Sequence, residues 1–125
     1  MKPVVKVHKR TREIVETYPS RIEAARKNGI SIGMIDRAIT KGNIPFGNFY
    51  YRSESDFDPD EDFTGRNNCP VLVKDVKTGQ IAWFGCMRMA AERIGKPSNQ
   101  VHSCMENGHK VWGRFIVKYY GKRIA

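Results

Sequence analysis

The stretch SRIEAARKNGISIGMIDRAITK, residues 20–41, decides the fold of this chain. Ser20 is a favoured helix N-cap, and Glu23 three residues later completes a capping-box pattern. Gly29 stands where a helix C-terminus favours a left-handed residue, and Ser31 can cap a second helix. The apolar residues of the second helix recur near the 3.6-residue period, at Ile32, Ile35, Ala38 and Ile39. The stretch therefore predicts two short helices around a glycine turn, the outline of a helix-turn-helix.

Strands are predicted on both sides of this helix pair. Residues 4–8, VVKVH, and residues 14–18, IVETY, are rich in β-branched side chains and are separated by a polar turn. A loop of Gly, Asn and Pro follows the second helix and leads to the aromatic run at residues 49–51. The order of elements is therefore ββααβ.

The same pattern returns later in the chain at an offset of 66 residues, with no gap. Apolar or glycine residues recur in twelve pairs at this offset: Val5 and Val71, Val7 and Val73, Val15 and Ile81, Tyr18 and Phe84, Ala24 and Ala90, Ala25 and Ala91, Gly29 and Gly95, Ile35 and Val101, Ile39 and Met105, Gly42 and Gly108, Gly47 and Gly113, and Phe49 and Phe115. A fixed period of this size indicates a duplicated supersecondary unit. The predicted fold class is therefore α+β, with two tandem ββααβ modules that each carry a small antiparallel sheet and a helix-turn-helix.

Charge divides the chain into three parts. Residues 1–53 carry 11 Lys/Arg and 4 Asp/Glu, or +7, and residues 69–125 carry 10 and 3, also +7. Residues 54–68 carry 1 and 6, or −5, with no apolar period. We interpret residues 54–68 as an acidic linker between two basic modules, either a solvated spacer or a segment that competes with a polyanion. Clustered Lys and Arg favour a polyanionic partner, although a small basic protein need not have one.

The three cysteines are an odd set without CxxC spacing, which argues against a disulfide framework. A zinc site from Cys86, His102, Cys104 and His109 is conceivable, but its spacing matches no standard zinc motif. We favour packing roles for the cysteines, with Cys86 at a helix start and Cys104 on an apolar helix face.

No apolar run of 18 residues is present, and lysines interrupt the apolar residues of MKPVVKVHKR. We therefore expect neither a membrane span nor a signal peptide, and a soluble, cytoplasmic protein. Lys122 and Arg123 make a basic tail that is either frayed or follows a phosphate backbone.

The order of these features resembles a known family. A strand, the Thr78-Gly79 turn, a strand ending in an aromatic residue, an Ala-Ala helix, a glycine, a second helix and a Gly-x-Phe element are similar to NUMOD-type modules, also called intron-encoded nuclease repeats. The resemblance covers about residues 3–53 and 70–119. It implies DNA-binding helix-turn-helix units of the kind found beside nuclease domains in phage and mobile-element homing endonucleases. The second copy departs from the pattern where Cys86, Arg88 and Pro97 replace a cap, an apolar residue and Ser31.

A helix-turn-helix places its second helix in the major groove of duplex DNA. The exposed positions expected there are Ser31, Gly33, Met34, Asp36, Arg37, Thr40 and Lys41 in the first module and Ser98, Asn99, Gln100, His102, Ser103, Glu106 and Asn107 in the second. Asn and Gln can pair with adenine and Arg with guanine, so the second module is predicted to be the better base reader. We expect phosphate contacts from loop residues Lys41, Asn43, Asn48, Asn107, Lys110 and Arg114. The aromatic residues Tyr50, Tyr51, Trp83, Trp112, Tyr119 and Tyr120 could stack on bases but are interpreted as core.

No catalytic motif is present, and the acidic cluster lies in the predicted linker, so we expect no enzyme activity. We expect no cofactor, no metal, no membrane partner and no small-molecule substrate, and no pattern indicates an oligomeric state. The hypothesis is a double-stranded DNA-binding protein, a targeting or regulatory protein of a phage or mobile element. The alternatives are an RNA or single-strand binder, a nuclease fragment or metal-dependent remnant built on His102, His109 and the cysteines, and a protein-interaction adaptor.

Overall fold

The computed structural model of this chain describes residues 3–64 and 66–121. These residues form two compact units, one ending at Glu61 and the other beginning at Asp62. The predicted basic tail residues Lys122 and Arg123 lie outside the described residues.

The first unit has the predicted ββααβ order. Its elements are β1 (Val4–His8), β2 (Ile14–Tyr18), α1 (Arg21–Asn28), α2 (Ile32–Lys41) and β3 (Phe49–Ser53), followed by a short 3-10 turn at Glu54–Asp56. The sheet is antiparallel with β1 in the middle, in the order β2-β1-β3. The α+β class and the element order are therefore confirmed for this unit.

The core of the first unit lies between one face of the sheet and the two helices. It comprises Val4, Tyr18, Ala24, Ala25, Ile35, Ala38 and Tyr51, with Ile30 and Ile39 partly buried against it. The small Ala24 and Ala25 are the buried residues of α1. Ile32 was predicted to belong to this apolar face, but its side chain is 46% exposed. Ile32 shares the helix face of Ile35 and Ile39, but as the first residue of α2 it lies at the helix end and outside the core, so the prediction that it is buried is wrong.

The second unit repeats the architecture. Its elements are β4 (Val71–Asp75), β5 (Ile81–Phe84), α3 (Met87–Ile94), α4 (Ser98–Glu106) and β6 (Phe115–Tyr119). The sheet order is β5-β4-β6, which is antiparallel with the first strand again in the middle. The core comprises Val71, Val73, Ala90, Ala91, Val101, Val111 and Val117. Two α+β units of the same design are therefore present.

Helix caps differ between the units. Ser20 Oγ accepts the backbone N–H of Glu23, and Ser31 Oγ accepts that of Met34, so both predicted caps are confirmed in the first unit. The Glu23 carboxylate pairs with Arg26 at 2.6 Å, so the second half of the predicted capping box is wrong. The equivalent N-caps of the second unit, Cys86 and Pro97, have no side-chain cap bond.

The repeat is not gapless, which corrects the constant offset of 66. Lys6 lies opposite Glu16 and Tyr51, whereas Val73 lies opposite Ala82 and Val117, so Lys6 and Val73 are equivalent at an offset of 67. The pairing of β1 with β2 skips Val15, where the register shifts. Val15 is therefore an extra residue in a β-bulge, and the offset becomes 66 only after it.

This shift also corrects the matches in the first strand. Val71 and Val73 belong to the helix-packed core of the second unit. Their structural counterparts are Val4 and Lys6, not Val5 and Val7 as predicted. Val5 and Val7 are fully buried but point to the opposite face of their sheet, since side chains alternate along a strand.

That opposite face of the first sheet holds buried charge. The guanidinium groups of Arg12 and Arg52 lie 5.5 and 5.0 Å from the centroid of the buried Tyr50 ring. Arg52 forms an ion pair with Glu61 at 3.0 Å, with the two side chains 7% and 20% exposed. Within the acid-rich segment, Phe63 is also fully buried. Residues 54–68 are therefore not only a solvated spacer, because Glu61 and Phe63 take part in folded structure.

Candidate nucleic-acid interface

The second helix of the first unit presents a stripe of side chains to solvent. Met34, Arg37 and Lys41 are all exposed, and the spacing i, i+3, i+7 places them on one side of α2. Neither Arg37 nor Lys41 has an ion pair within the described residues. Ser31 lies at the start of the helix, with its Oγ engaged by the Met34 N–H at 3.3 Å. Asp36 lies off this stripe and is paired with Arg21 at 2.9 Å.

The second helix of the second unit presents the equivalent stripe. Gln100, Ser103 and Asn107 are exposed and lie 66 residues after Met34, Arg37 and Lys41. Asn107 Nδ2 donates to Ser103 Oγ at 3.5 Å. Asn99 is exposed beside the stripe, and its Oδ1 accepts the Gln100 N–H at 3.0 Å. The stripe of α2 is thus cationic, and that of α4 carries neutral amides and a hydroxyl.

Six loop residues were predicted to contact phosphate; Lys41 and Asn107 are the exposed stripe residues described above, and the other four have different surroundings. Lys110 is exposed and has no ion pair in the part of the chain that the structure describes. Asn43 is exposed, and its carbonyl accepts from Arg52 at 3.2 Å. Asn48 is half-buried, with Oδ1 in the interior and without a hydrogen bond. Only Lys110 and Asn43 are therefore presented as open surface groups.

The fourth, Arg114, is committed to Asp75. Its Nε and Nη2 lie 2.9 and 2.6 Å from the two carboxylate oxygens, which is bidentate geometry. The hydrogen bonds from Arg114 hold the pKa of Asp75 well below its usual range, and the same bonds raise the pKa of Arg114. A phosphate would have to compete with this carboxylate, so Arg114 is a poorer phosphate ligand than Lys110.

A cleft of about 560 Å³ lies at the beginning of α4 and brings together residues that the sequence assigned to different roles. The predicted residues Ser98, Asn99 and His102 line it, beside Arg66, Asn67, Asn68, Cys69, Met87, Arg88 and Tyr119. No carboxylate is among these lining residues. His102 lies 3.5 Å from Glu106 and its ring is 6.3 Å from that of Tyr119.

Arg66, Asn67 and Arg88 were missed by sequence reasoning as members of this site. Arg66 and Asn67 belong to the segment interpreted as an acidic linker, and Arg88 was treated as a packing defect of its helix. Arg88 is largely exposed and lies 4.0 Å from Glu92. The signal in the sequence is weak: Arg66 is the one basic residue of the segment 54–68 and follows the last acid of the run, Asp62, by four residues.

Two exposed aromatic residues occupy equivalent positions in the loops before β3 and β6. Phe46 is 52% exposed and Trp112 is 62% exposed, 66 residues later. The core interpretation is therefore wrong for Trp112, which sits in a loop with a positive φ of 56°. The Lys96 Nζ lies 4.2 Å from the centroid of the Trp112 ring and covers one of its faces. Tyr50 and Tyr51 are buried as predicted.

Within residues 3–64 and 66–121, no three His, Cys, Asp or Glu side chains are arranged to hold a metal ion. In the same residues, no helix is both long and apolar enough to cross a bilayer. No model of a known protein family matches the chain, and comparisons with curated proteins and with solved structures give no match.

Proposed function

We propose that this chain binds double-stranded DNA through the exposed stripes of α2 and α4. The observation that carries the proposal is the repetition of one solvent-facing stripe at equivalent positions of the two second helices, with no acidic residue at the stripe positions themselves and the exposed Glu106 beside the α4 stripe. A helix presented in this way fits the width of the major groove. The basic charge of the two modules favours the same partner.

The two stripes support different contributions to binding. Within the described residues Arg37 and Lys41 have no ion pair to break, so they suit phosphate contacts that position the protein on DNA. Gln100 and Asn107 carry amides that can donate and accept at base edges, with Asn99 beside them. The first unit would therefore supply affinity and the second would supply sequence preference.

The resemblance to NUMOD-type modules supports the biological part of the proposal. In that family, such modules target the proteins that carry them to DNA. We propose the same role here, as a targeting or regulatory protein of a phage or mobile element, with no catalytic step assigned to this chain.

Competition binding tests the proposal against its closest rival. A fluorescent duplex of mixed sequence is bound at low salt, and unlabelled duplex DNA, single-stranded DNA and RNA of the same length are added in turn. We expect duplex DNA to displace the probe at the lowest concentration. Failure to bind the duplex at low salt, or stronger competition by either single strand or RNA, would contradict the proposal.

One observation favours single-stranded nucleic acid as the second candidate. Phe46 and Trp112 are exposed aromatic rings on basic units, and such rings stack on unpaired bases. The rings stand in loops and not on the sheet surface, and Lys96 already covers one face of Trp112. Selective quenching of Trp112 fluorescence by single strands, lost in Trp112→Ala, would favour this candidate.

A further inference from the structure

The second unit contains a pocket of about 630 Å³ between β5 and the end of α3. Val73, Phe84, Ile94 and Phe115 supply apolar walls, and Ala82 on the exposed edge strand lies at its margin. This volume falls within the range of small-molecule sites. The pocket is separate from the α4 stripe, since none of Gln100, Ser103 and Asn107 lines it.

In the first unit, polar side chains occupy the position that is equivalent to this pocket. Its equivalents of Val73, Ala82, Phe84 and Ile94 are Lys6, Glu16, Tyr18 and Asn28, all polar. Lys6 Nζ donates to Asn28 Oδ1 at 2.8 Å and lies 4.4 Å from the Phe49 ring centroid. Asn28 Nδ2 donates to the Tyr18 hydroxyl at 3.0 Å, which donates to Glu16 at 2.8 Å. A connected polar network occupies the space.

In the second unit, every member of that network is replaced by an apolar side chain. Lys6 and Glu16 become the shorter Val73 and Ala82, so the space they occupied is left to solvent. Water in contact with an apolar wall is readily displaced by an apolar group, because burying that surface is favourable. The exchange of residues thus replaces a filled polar position by a pocket with apolar walls and a polar rim that includes Thr78 and Gln80.

The charged residues at the pocket rim indicate which polar group a ligand would carry. Asp75, the only carboxylate of the lining, is neutralised by its bidentate pair with Arg114. Arg93 also lines the pocket and has no ion pair within the described residues. An uncompensated guanidinium beside the apolar wall of a mixed pocket suits an anionic group attached to an apolar body.

We propose that this pocket binds a small amphipathic organic anion, with an aromatic or branched apolar body against Val73, Phe84 and Phe115 and its acidic group at Arg93. This site is independent of the proposed DNA contacts. It gives the second unit a ligand-binding capacity that the first unit lacks, because Lys6 and its partners fill the corresponding space.

Two fluorescent probes test the proposal. 1-Anilinonaphthalene-8-sulfonate has an aromatic body and an anion, and N-phenyl-1-naphthylamine has a similar body without charge. We expect saturable binding of the anionic probe to the folded full chain. Ala82→Trp, which fills the pocket from an exposed position, should weaken binding of both probes about tenfold or more. Arg93→Ala should weaken the anionic probe about fivefold and leave the neutral probe unchanged.

Glu16→Trp is the matched control, because Glu16 holds the position of Ala82 in the first unit. It should leave the affinity for both probes unchanged. Equal affinity in wild type and Ala82→Trp would overturn the proposal, as would an equal loss in Glu16→Trp. Circular dichroism of each variant confirms that the fold is intact, and probe fluorescence that appears only as the chain unfolds would also overturn it.

Discussion

Arg52 is the most heavily bonded side chain of the first unit. Its guanidinium donates to both oxygens of Glu61 and to the carbonyls of Ala38, Gly42 and Asn43 at the end of α2. A cation at the C-terminus of a helix also interacts favourably with the partial negative charge of the helix dipole there. Arg52 thus joins β3, the C-terminus of α2 and the acid-rich segment in one buried polar centre.

Substitution of Arg52 tests this centre. Arg52→Ala leaves the Glu61 carboxylate and several helix-end carbonyls without their donor, so we expect a loss of about 3–5 kcal/mol from the free energy of unfolding of this unit. Native-state hydrogen exchange of the β1 and β3 amides measures it. Arg26→Ala removes an exposed ion pair and should cost less than about 1 kcal/mol. Equal losses in the two variants would contradict this account.

The sequence could not predict the Arg52–Glu61 pair. Residues 54–68 have the composition of a solvated segment, and composition averages over positions. Glu61 lies within hydrogen-bond distance of the buried Arg52 guanidinium, which composition does not reveal. Phe63 gave a weak signal, as an aromatic residue in a polar run, but aromatic residues also occur in disordered segments.

The Asp75–Arg114 pair predicts a specific titration. Because the pKa of Asp75 is lowered on folding, the pair stabilises the second unit above the unfolded pKa, near 3.9, and this stabilisation is lost as the pH falls through the folded pKa. Carboxyl carbon NMR of the folded chain should show Asp75 still ionised below that unfolded value. Arg114→Ala should return the Asp75 pKa toward its ordinary value. An unchanged Asp75 titration in that variant would contradict the pairing.

The edge strands β2 and β5 differ by a single residue. Val15 forms a bulge in β2 and is 55% exposed, whereas β5 pairs regularly with β4. A bulge on an edge strand hinders pairing with another chain. The two hairpins otherwise turn alike, with positive φ at Arg12 (60°) and at its counterpart Gly79 (77°).

Deletion of Val15 should therefore be tolerated. The shortened β2 can adopt the regular pairing of β5, so we expect the free energy of unfolding to change by less than about 1 kcal/mol. Deletion of Ala82 removes a residue from a strand without a bulge and forces a register slip that turns side chains to the wrong face. It should cost more than about 2 kcal/mol by denaturant unfolding. Similar losses in the free energy of unfolding for the two deletions would contradict the interpretation of Val15 as an extra residue in the β1–β2 pairing.

The helices and strands were predictable because local signals agree with each other. The serine caps, the left-handed glycines and the 3.6-residue period all place α1 and α2 correctly. The bulge was not predictable, since Ile14 and Val15 are both β-branched and either could face the core. A gapless offset of 66 therefore pairs Val5 and Val7 with Val71 and Val73 in the first strand, where the register of the two sheets requires an offset of 67.

At the scale of the whole molecule, one architecture carries two different surfaces. The first unit combines a cationic α2 stripe with a filled polar network around Lys6. The second combines an amide-bearing α4 stripe with an apolar pocket beside Arg93. The two units share their element order and the left-handed glycine positions Gly29 and Gly95, while many exposed and half-buried positions differ.

The candidate interface was only partly predictable at this scale. The stripes of α2 and α4 followed from helical periodicity, since removing the core positions leaves the exposed ones. The cleft at the start of α4 depends on residues distant in sequence, such as Arg66 and Arg88, which only the folded chain brings together. The ion pair between Arg114 and Asp75, which are 39 residues apart, likewise could not be predicted from the sequence.

The most direct test of the proposed DNA interface is the salt dependence of duplex binding. Fluorescence anisotropy of a labelled duplex gives the affinity at several salt concentrations for wild type, for Arg37→Ala/Lys41→Ala and for Arg10→Ala/Lys77→Ala. Both double variants remove two exposed charges, but Arg10 and Lys77 lie in the β-hairpin turns. The slope of log affinity against log salt is negative for such binding. We predict that loss of Arg37 and Lys41 makes this slope less steep by about 2, while the turn variant keeps the wild-type slope. Equal slopes for the two double variants, or a larger change in the turn variant, would contradict binding through α2.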